Sequence, residues 1–193
     1  KDHHPILTPD YMINESSIFK ELAPLCKGIY TLSEYLSSHV RQLPRIIEHN
    51  IPVNTLYHPI EPVENKWSLQ KFMDNPDKKL LNIGTWLRRY SSIYRIDPKD
   101  TYTKCILPKS NQIRSHVGFQ MSKWPGMFAY SRDDVQFIDR VSNTEYDKLL
   151  ERNIVYLHVF DTSANNVIIE CIIRNTPIIV NAAPAAIEYL GKD

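Results

Sequence analysis

Between residues 28 and 66 the spacing of apolar and polar positions changes several times. "GIYTLS" (28–33) has the short apolar run of a strand and ends on Ser33, and "EYLSSHVRQL" (34–43) has the apolar spacing of a helix capped by that serine. "VNTLYHP" (53–59) predicts a second strand, whereas "IEPVENK" (60–66) is charged, contains proline and has no period, as a linker does. The alternation then restarts. "KLLNIG" (79–84), "TKCIL" (103–107) and "VQFID" (135–139) predict strands, "EYDKLLER" (145–152) a helix, "IVYLHVF" (154–160) a strand, "NNVIIECIIR" (165–174) a helix and "PIIVN" (177–181) a strand. Strands that are apolar on both faces and separated by helices belong to a parallel sheet covered on two sides. Residues 111–134, where Trp124, Pro125 and Gly126 break any period, are expected to form a loop or insertion. No internal repeat is visible.

Composition narrows the class. A chain of 193 residues holds one full domain, or one domain and part of another. Its formal charge of +1 gives no reason to expect nucleic acid as a partner, because binding a phosphate backbone needs a concentrated basic surface. Cys26, Cys105 and Cys171 lie far apart in apolar contexts without a CxxC pair, the pattern of buried reduced thiols in a cytosolic protein. No apolar run is long enough for a membrane span and no signal peptide is evident, so a cytoplasmic location is expected. The chain begins at Lys1 without a Met and stops at Asp193 after a helix-like segment. It reads as a fragment, and a membrane surface reached through missing parts stays open.

The candidate chemistry lies in "VYLHVFDTSANN" (155–166), a strand running through small polar residues into a helix. In a doubly wound sheet, ligands bind outside the carboxyl ends of the strands. Backbone N–H groups and the positive end of the helix dipole at Ser163, Ala164, Asn165 and Asn166 predict a phosphate site. Glu170, at i+4 from Asn166, shares its helix face and could accept bonds from the two hydroxyls of a ribose. The alternative is that Glu170 pairs with Arg174, itself at i+4, on a solvated face. Arg88 and Arg89 follow the strand ending in Gly84 and could clamp a diphosphate; otherwise they are ordinary solvated helix residues. His158 is expected to be a satisfied core histidine and His58 a structural one.

From about Cys26 to Gly191 the chain resembles a glycosyltransferase of the GT-B fold, in the large retaining, nucleotide-sugar-dependent group often called family four. The resemblance is carried by "CKGIYTLSEYLSSHV", "VNTLYHPIE", "LNIGTWLRR" and the run "VQFIDRVSNTEYDKLLERNIVYLHVFDTSANNVIIECIIRNTPIIVN", followed by Pro184 and Glu188. It implies an α/β, Rossmann-like architecture with helices on both sheet faces. Residues 1–60 would be the tail of the acceptor-side N-terminal domain with its linker. Residues 61–193 would be a truncated C-terminal domain that binds the nucleotide sugar.

The same resemblance implies roles. Glu170 matches the second glutamate of the family's E-x7-E motif, a ribose-binding carboxylate, while the first falls on Thr162. Asp161 next door would then substitute, or the donor sugar is met differently. Ser163, Ala164, Asn165 and Asn166 stand where the family usually has glycine and phenylalanine, and Thr85 stands where its arginine follows the glycine. The basic role passes to Arg88 and Arg89. His3 and His4 precede Pro5 as in a family loop that faces the donor sugar, which makes His4 a candidate. Residues 141–146 should lie near the nucleobase.

The implied reaction is transfer of a sugar from a nucleoside diphosphate sugar to a hydroxyl of a glycan, a lipid-linked glycan or a protein, with retention. Neither a metal nor a cofactor beyond the donor is implied, and the fragment alone is expected to bind donor more readily than it turns over. GxGxxG, the P-loop and GxSxG are missing from a chain with five glycines, and no metal-ligand spacing occurs. Two alternatives share the fold: a nucleotide-binding or interaction domain without catalysis, which the Thr162 departure favours, and a nucleotide-sugar epimerase.

Overall fold

The computed structural model describes residues 9–84, 87–97, 101–107, 113–123 and 134–192. They form two compact units. One holds the described residues of 9–59, 161–164 and 184–192, the other those of 60–160 and 165–183.

In the first unit, a π-helical turn (Tyr11–Glu15) leads into α1 (Ser17–Leu22), whose N-cap Ser16 accepts from the Phe19 N–H. Strand β1 (Ile29–Thr31) is followed by α2 (Glu34–Val40), α3 (Pro44–Glu48), β2 (Val53–Thr55) and, far along the chain, α8 (Pro184–Leu190). β1 and β2 pair in parallel, Ile29 opposite Val53. The expected helix over 34–43 is shorter, ending at Val40, and a separate helix follows it. Pro44 restricts Leu43 to extended backbone (φ −71°, ψ 134°) and then opens α3 at its first position, where a missing N–H costs nothing. Ile13, Ala23, Val40, Leu43, Ile46, Ile51 and Val53 form the core. Cys26 lies at its margin and is only partly buried, against the expectation of a fully buried thiol.

The second unit is built on α4 (Leu69–Met73), β3 (Lys79–Ile83), β4 (Thr103–Leu107), α5 (Ile113–Lys123), β5 (Val135–Phe137), α6 (Asn143–Arg152), β6 (Ile154–Leu157), α7 (Asn166–Arg174) and β7 (Ile178–Val180). All five strands are parallel, in the order β5-β4-β3-β6-β7. The order reverses between β3 and β6, the position where doubly wound sheets open a crevice. Residues expected as loop over 111–134 include the helix α5; Trp124, Pro125 and Gly126 lie outside the described residues. A 3-10 helix (Tyr90–Arg95) after β3 supplies Tyr90, Ile93 and Tyr94, which pack with Ile106, Val117 and Val135.

α7 forms although Val167, Ile168, Ile169, Ile172 and Ile173 are β-branched and lose χ1 freedom in a helix. Asn165 caps its start, Arg174 lies in its last turn, and Asn175 closes it in the left-handed region (φ 58°). Val167, Ile168, Ile169 and Cys171 are buried, and each buried aliphatic side chain contributes roughly 1.5–3 kcal/mol, more than the propensity cost.

The apolar run over 154–160 does not continue as one strand. β6 ends at Leu157, and Val159 instead bridges Arg88 in antiparallel fashion. The Asn181 amide brackets Val159, accepting from its N–H (2.8 Å) and donating to its carbonyl (3.0 Å), in place of a ladder partner. β7 leaves Ile179 55% exposed, so this edge of the sheet is covered on one face only.

Candidate functional site

At the carboxyl end of β3, Gly84 adopts φ +89°, a conformation that favours glycine, and a side chain there would collide with the Arg88 guanidinium. Leu87 also has positive φ (54°), uncommon for a bulky residue and worth about 1–3 kcal/mol of strain. Residues 87–89 are held in this shape against 158–160. The Phe160 N–H donates to Leu87 O at 2.9 Å and the Arg89 N–H to His158 O at 2.8 Å. The strained turn carries Arg88 into the protein. Its guanidinium donates to the Ile83 carbonyl and, at 2.9 Å, to Asn165 Oδ1. Arg88 is 8% exposed, which removes the alternative of a solvated helix residue. Burial pushes its pKa down, while the acidic groups of Tyr90, Tyr146 and Glu170 act in the other direction.

Asn165 joins this arginine to α7. Its Oδ1 also accepts from the Val167 N–H at 3.1 Å, the usual duty of an N-cap. A guanidinium at the positive end of a helix adds like charge to like, and the pair together attracts an anion.

One and a half turns along α7, Glu170 lines a cleft of about 320 Å³ with Ile83, Gly84, Leu107, Arg140, Val141, Asn143 and Tyr146. The cleft opens beyond the carboxyl ends of β3 and β4. Glu170 does not pair with Arg174, the local partner its spacing offered. Arg174 Nη2 donates to Asp147 on α6 at 2.7 Å, and Glu170 Oε2 accepts from the Tyr146 hydroxyl at 2.5 Å. Burial first, then the Glu170 charge, pushes the Tyr146 pKa up, so the phenol keeps its proton and donates. α6 is set at its start by a capping box, in which the Ser142 side chain accepts from the Glu145 N–H and the Glu145 carboxylate from the Ser142 N–H.

The remaining candidates are distributed as follows. The Arg89 guanidinium lies over the Phe160 ring, 4.9 Å from its centroid, rather than beside Arg88's partners. Asn166 is exposed at the first position of α7. Asp161, Thr162, Ser163 and Ala164 belong to the first unit. There Asp161 is exposed and accepts from the Thr162 N–H at 2.8 Å, Thr162 is buried, and Ser163 Oγ lies 3.4 Å from Ser33 Oγ. Ala164 is half-buried. His3, His4 and Thr85 lie outside the described residues. His158 follows β6 and is half-buried; burial, then Arg89 and Arg95, push its pKa down and keep it neutral. His58 donates its N–H to Tyr189 Oη at 3.2 Å.

Of the residues around the cleft, Val141, Asn143 and Tyr146 fall in the segment 141–146 expected near the site from its place after a strand, whereas Leu107 and Arg140 carry no signal in a single sequence that separates them from ordinary core and surface positions. Burial pushes the Cys105 thiol up to about 11 and the Cys171 thiol up to about 12, so neither is a nucleophile at neutral pH. Among the described residues no group of His, Cys, Asp and Glu could hold a metal ion, and no helix is long and apolar enough to cross a membrane.

No protein-family model and no curated protein matches the sequence. Solved structures do. The chain is similar to Alr3699/HepE of Anabaena in complex with UDP-glucose (12% identity, TM-score 0.55, 84% of this chain and 46% of that one). It is similar to WaaG, a glycosyltransferase involved in lipopolysaccharide biosynthesis (14%, 0.57, 93% and 53%). It is also similar to the pneumococcal O-GlcNAc transferase GtfA in complex with UDP and GlcNAc (10%, 0.58, 92% and 35%). The chain spans about half the length of the first two and 35% of the third. At these identities the likeness shows the fold: an α/β, Rossmann-like parallel sheet flanked by helices, of the GT-B type found in glycosyltransferases.

Proposed function

We propose that this chain carries the donor half of a glycosyltransferase site, belonging to a protein that moves a sugar from a nucleoside diphosphate sugar to a hydroxyl acceptor. The observation that carries this reading is the joining of Arg88 to the N-cap of α7, beside the cleft that Glu170 lines. In this reading the diphosphate lies against Arg88, Asn165 and Asn166, with Arg89 as a flanking charge. The ribose hydroxyls donate to Glu170, and the base lies toward residues 141–146. As the bond to the sugar breaks, negative charge gathers on the leaving diphosphate. A buried guanidinium and the positive end of a helix stabilise that charge more than they stabilise the ground state.

The finer parts of the proposal are retention of configuration, a place in family four, and catalysis that needs no metal or further cofactor. Asp161, Thr162 and His4 are the candidates on the donor-sugar side. The acceptor is a glycan, a lipid-linked glycan or a protein, not a nucleic acid, and the protein works in the cytoplasm or at a membrane surface. Isothermal titration of the chain and of Glu170→Ala against UDP, GDP and ADP tests the reading. Saturable binding of one diphosphate, lost in the variant, is expected. Binding of none by the unmutated chain, or equal binding by both, would reject the site.

A second reading is favoured by Thr162, which is buried and has no carboxylate to offer a sugar. A nucleotide-binding domain without catalysis would hold diphosphate as above, but the full-length protein would release none from a nucleotide sugar in the presence of acceptors. An epimerase would convert the free donor with no acceptor present.

A further inference from the structure

α6 and α7 meet through two side-chain pairs, Tyr146 with Glu170 and Asp147 with Arg174. The pairing is crosswise with respect to local spacing, which would have joined Glu170 to Arg174 within α7. Asp147 draws the Arg174 guanidinium away, although Arg174 Nη1 stays 3.5 Å from the Glu170 carbonyl oxygen. The Glu170 carboxylate is therefore met by a neutral donor rather than a cation. A phenol holds one oxygen in place without cancelling the charge, whereas a guanidinium would occupy both oxygens and neutralise them. Among the described residues Glu170 Oε1 accepts no hydrogen bond, and Glu170 and Tyr146 line the same cleft. Both are half-buried, so the carboxylate can still be reached from the cleft.

We propose that Tyr146 is the positioning residue for Glu170, locking Oε2 so that the carboxylate is presented in a fixed orientation to the hydroxyls of a ribonucleotide ligand. This rests on the reading that Glu170 binds ribose, and it makes discrimination between ribose and deoxyribose depend on a residue that need not touch the ligand. The capping box that fixes the first turn of α6 bears on the same point, because Tyr146 follows Glu145 directly.

The test is titration of the chain with UDP and 2′-deoxy-UDP, with GDP, ADP and their 2′-deoxy forms in parallel, in the unmutated protein, Tyr146→Phe, Glu170→Gln and the double variant. A hydrogen bond to a charged group is worth about 1.5–3 kcal/mol, so the unmutated chain is expected to prefer the ribonucleotide by about tenfold or more. Tyr146→Phe keeps the ring and its packing but removes the donor to Glu170; it is expected to shrink that ratio to about twofold, with the ribonucleotide affinity falling more than the deoxynucleotide affinity and the melting temperature modestly lowered, and the double variant loses no more of the ratio than Glu170→Gln alone. A ratio that survives in Tyr146→Phe, including one that survives while both affinities fall together, overturns the role of Tyr146 and leaves the ribose reading standing. No ribose preference in the unmutated chain, or no binding at all, overturns the ribose reading and this inference with it.

Discussion

Two helices of this protein follow a parallel strand and start on a capping side chain, and the charges brought to those two starts are opposite. At α2, Ser33 Oγ accepts from the Leu36 N–H at 3.2 Å, and the Glu34 and Tyr35 N–H groups donate to the Glu188 carboxylate at 2.6 and 2.9 Å. The protein's own anion closes that helix end. At α7, Asn165 caps in the same local manner, but the group brought to it is the guanidinium of Arg88. Capping chemistry read from sequence is the same in both cases. What separates a finished structural joint from a candidate ligand site is the sign of the charge delivered from elsewhere in the chain.

The sharpest way to break this comparison is at the arginines. Arg88→Met is expected to weaken diphosphate binding roughly tenfold to a hundredfold, the worth of one charge-assisted hydrogen bond. Arg89→Met, which removes a half-buried guanidinium lying on Phe160 and not joined to Asn165, should change it by only about twofold. Equal losses in the two titrations would show that net charge, not the contact with Asn165, is what matters.

A smaller effect is expected on the other side. Glu188→Gln leaves an acceptor but no charge at the start of α2, and should cost about 1 kcal/mol in urea unfolding without altering nucleotide affinity. A change in affinity as large as that of Arg88→Met would contradict the division of roles.

The smallest effect is in the acid limb of stability. Hydrogen bonds from Arg41, then Thr55, lower the Glu34 carboxyl from 4.5 to about 2. At Glu188 burial works upward but is outweighed by the Glu34 and Tyr35 N–H groups and the Tyr57 hydroxyl, so its pKa also falls. A depressed folded-state pKa stabilises above the unfolded value and loses that contribution as pH drops through the folded one. The melting temperature should therefore fall between about pH 4.5 and 2, and less steeply in Glu34→Gln, with thermal denaturation by circular dichroism as the readout. Parallel curves for the two proteins would remove Glu34 from the account.

Much of the sheet was legible because its strands are short apolar runs bounded by turns. α5 was not, since its apolar residues do not fall on one stripe and Gly118 interrupts it. α4 has only five residues, too few to show a period. The end of β6 was hidden for another reason: an unbroken apolar run cannot reveal that Val159 leaves the ladder for Arg88 and the Asn181 amide. At the site, the importance of Arg88 and Glu170 could be suspected from their positions after a strand and inside a helix. Their partners could not, because Asn165 and Tyr146 lie 77 and 24 residues away along the chain.

The sequence by itself determined the order and kind of most elements, the cap Ser33, and the placing of small polar residues between a buried strand and a helix, because burial period and capping are set by neighbours a few positions apart. Only the tertiary structure decided that the strands order as β5-β4-β3-β6-β7, that Glu188 closes α2, that Arg88 turns inward over Gly84, and that Tyr146 rather than Arg174 holds Glu170. Those pairings join residues distant in sequence, and which charges meet depends on how the packed elements bring their ends together.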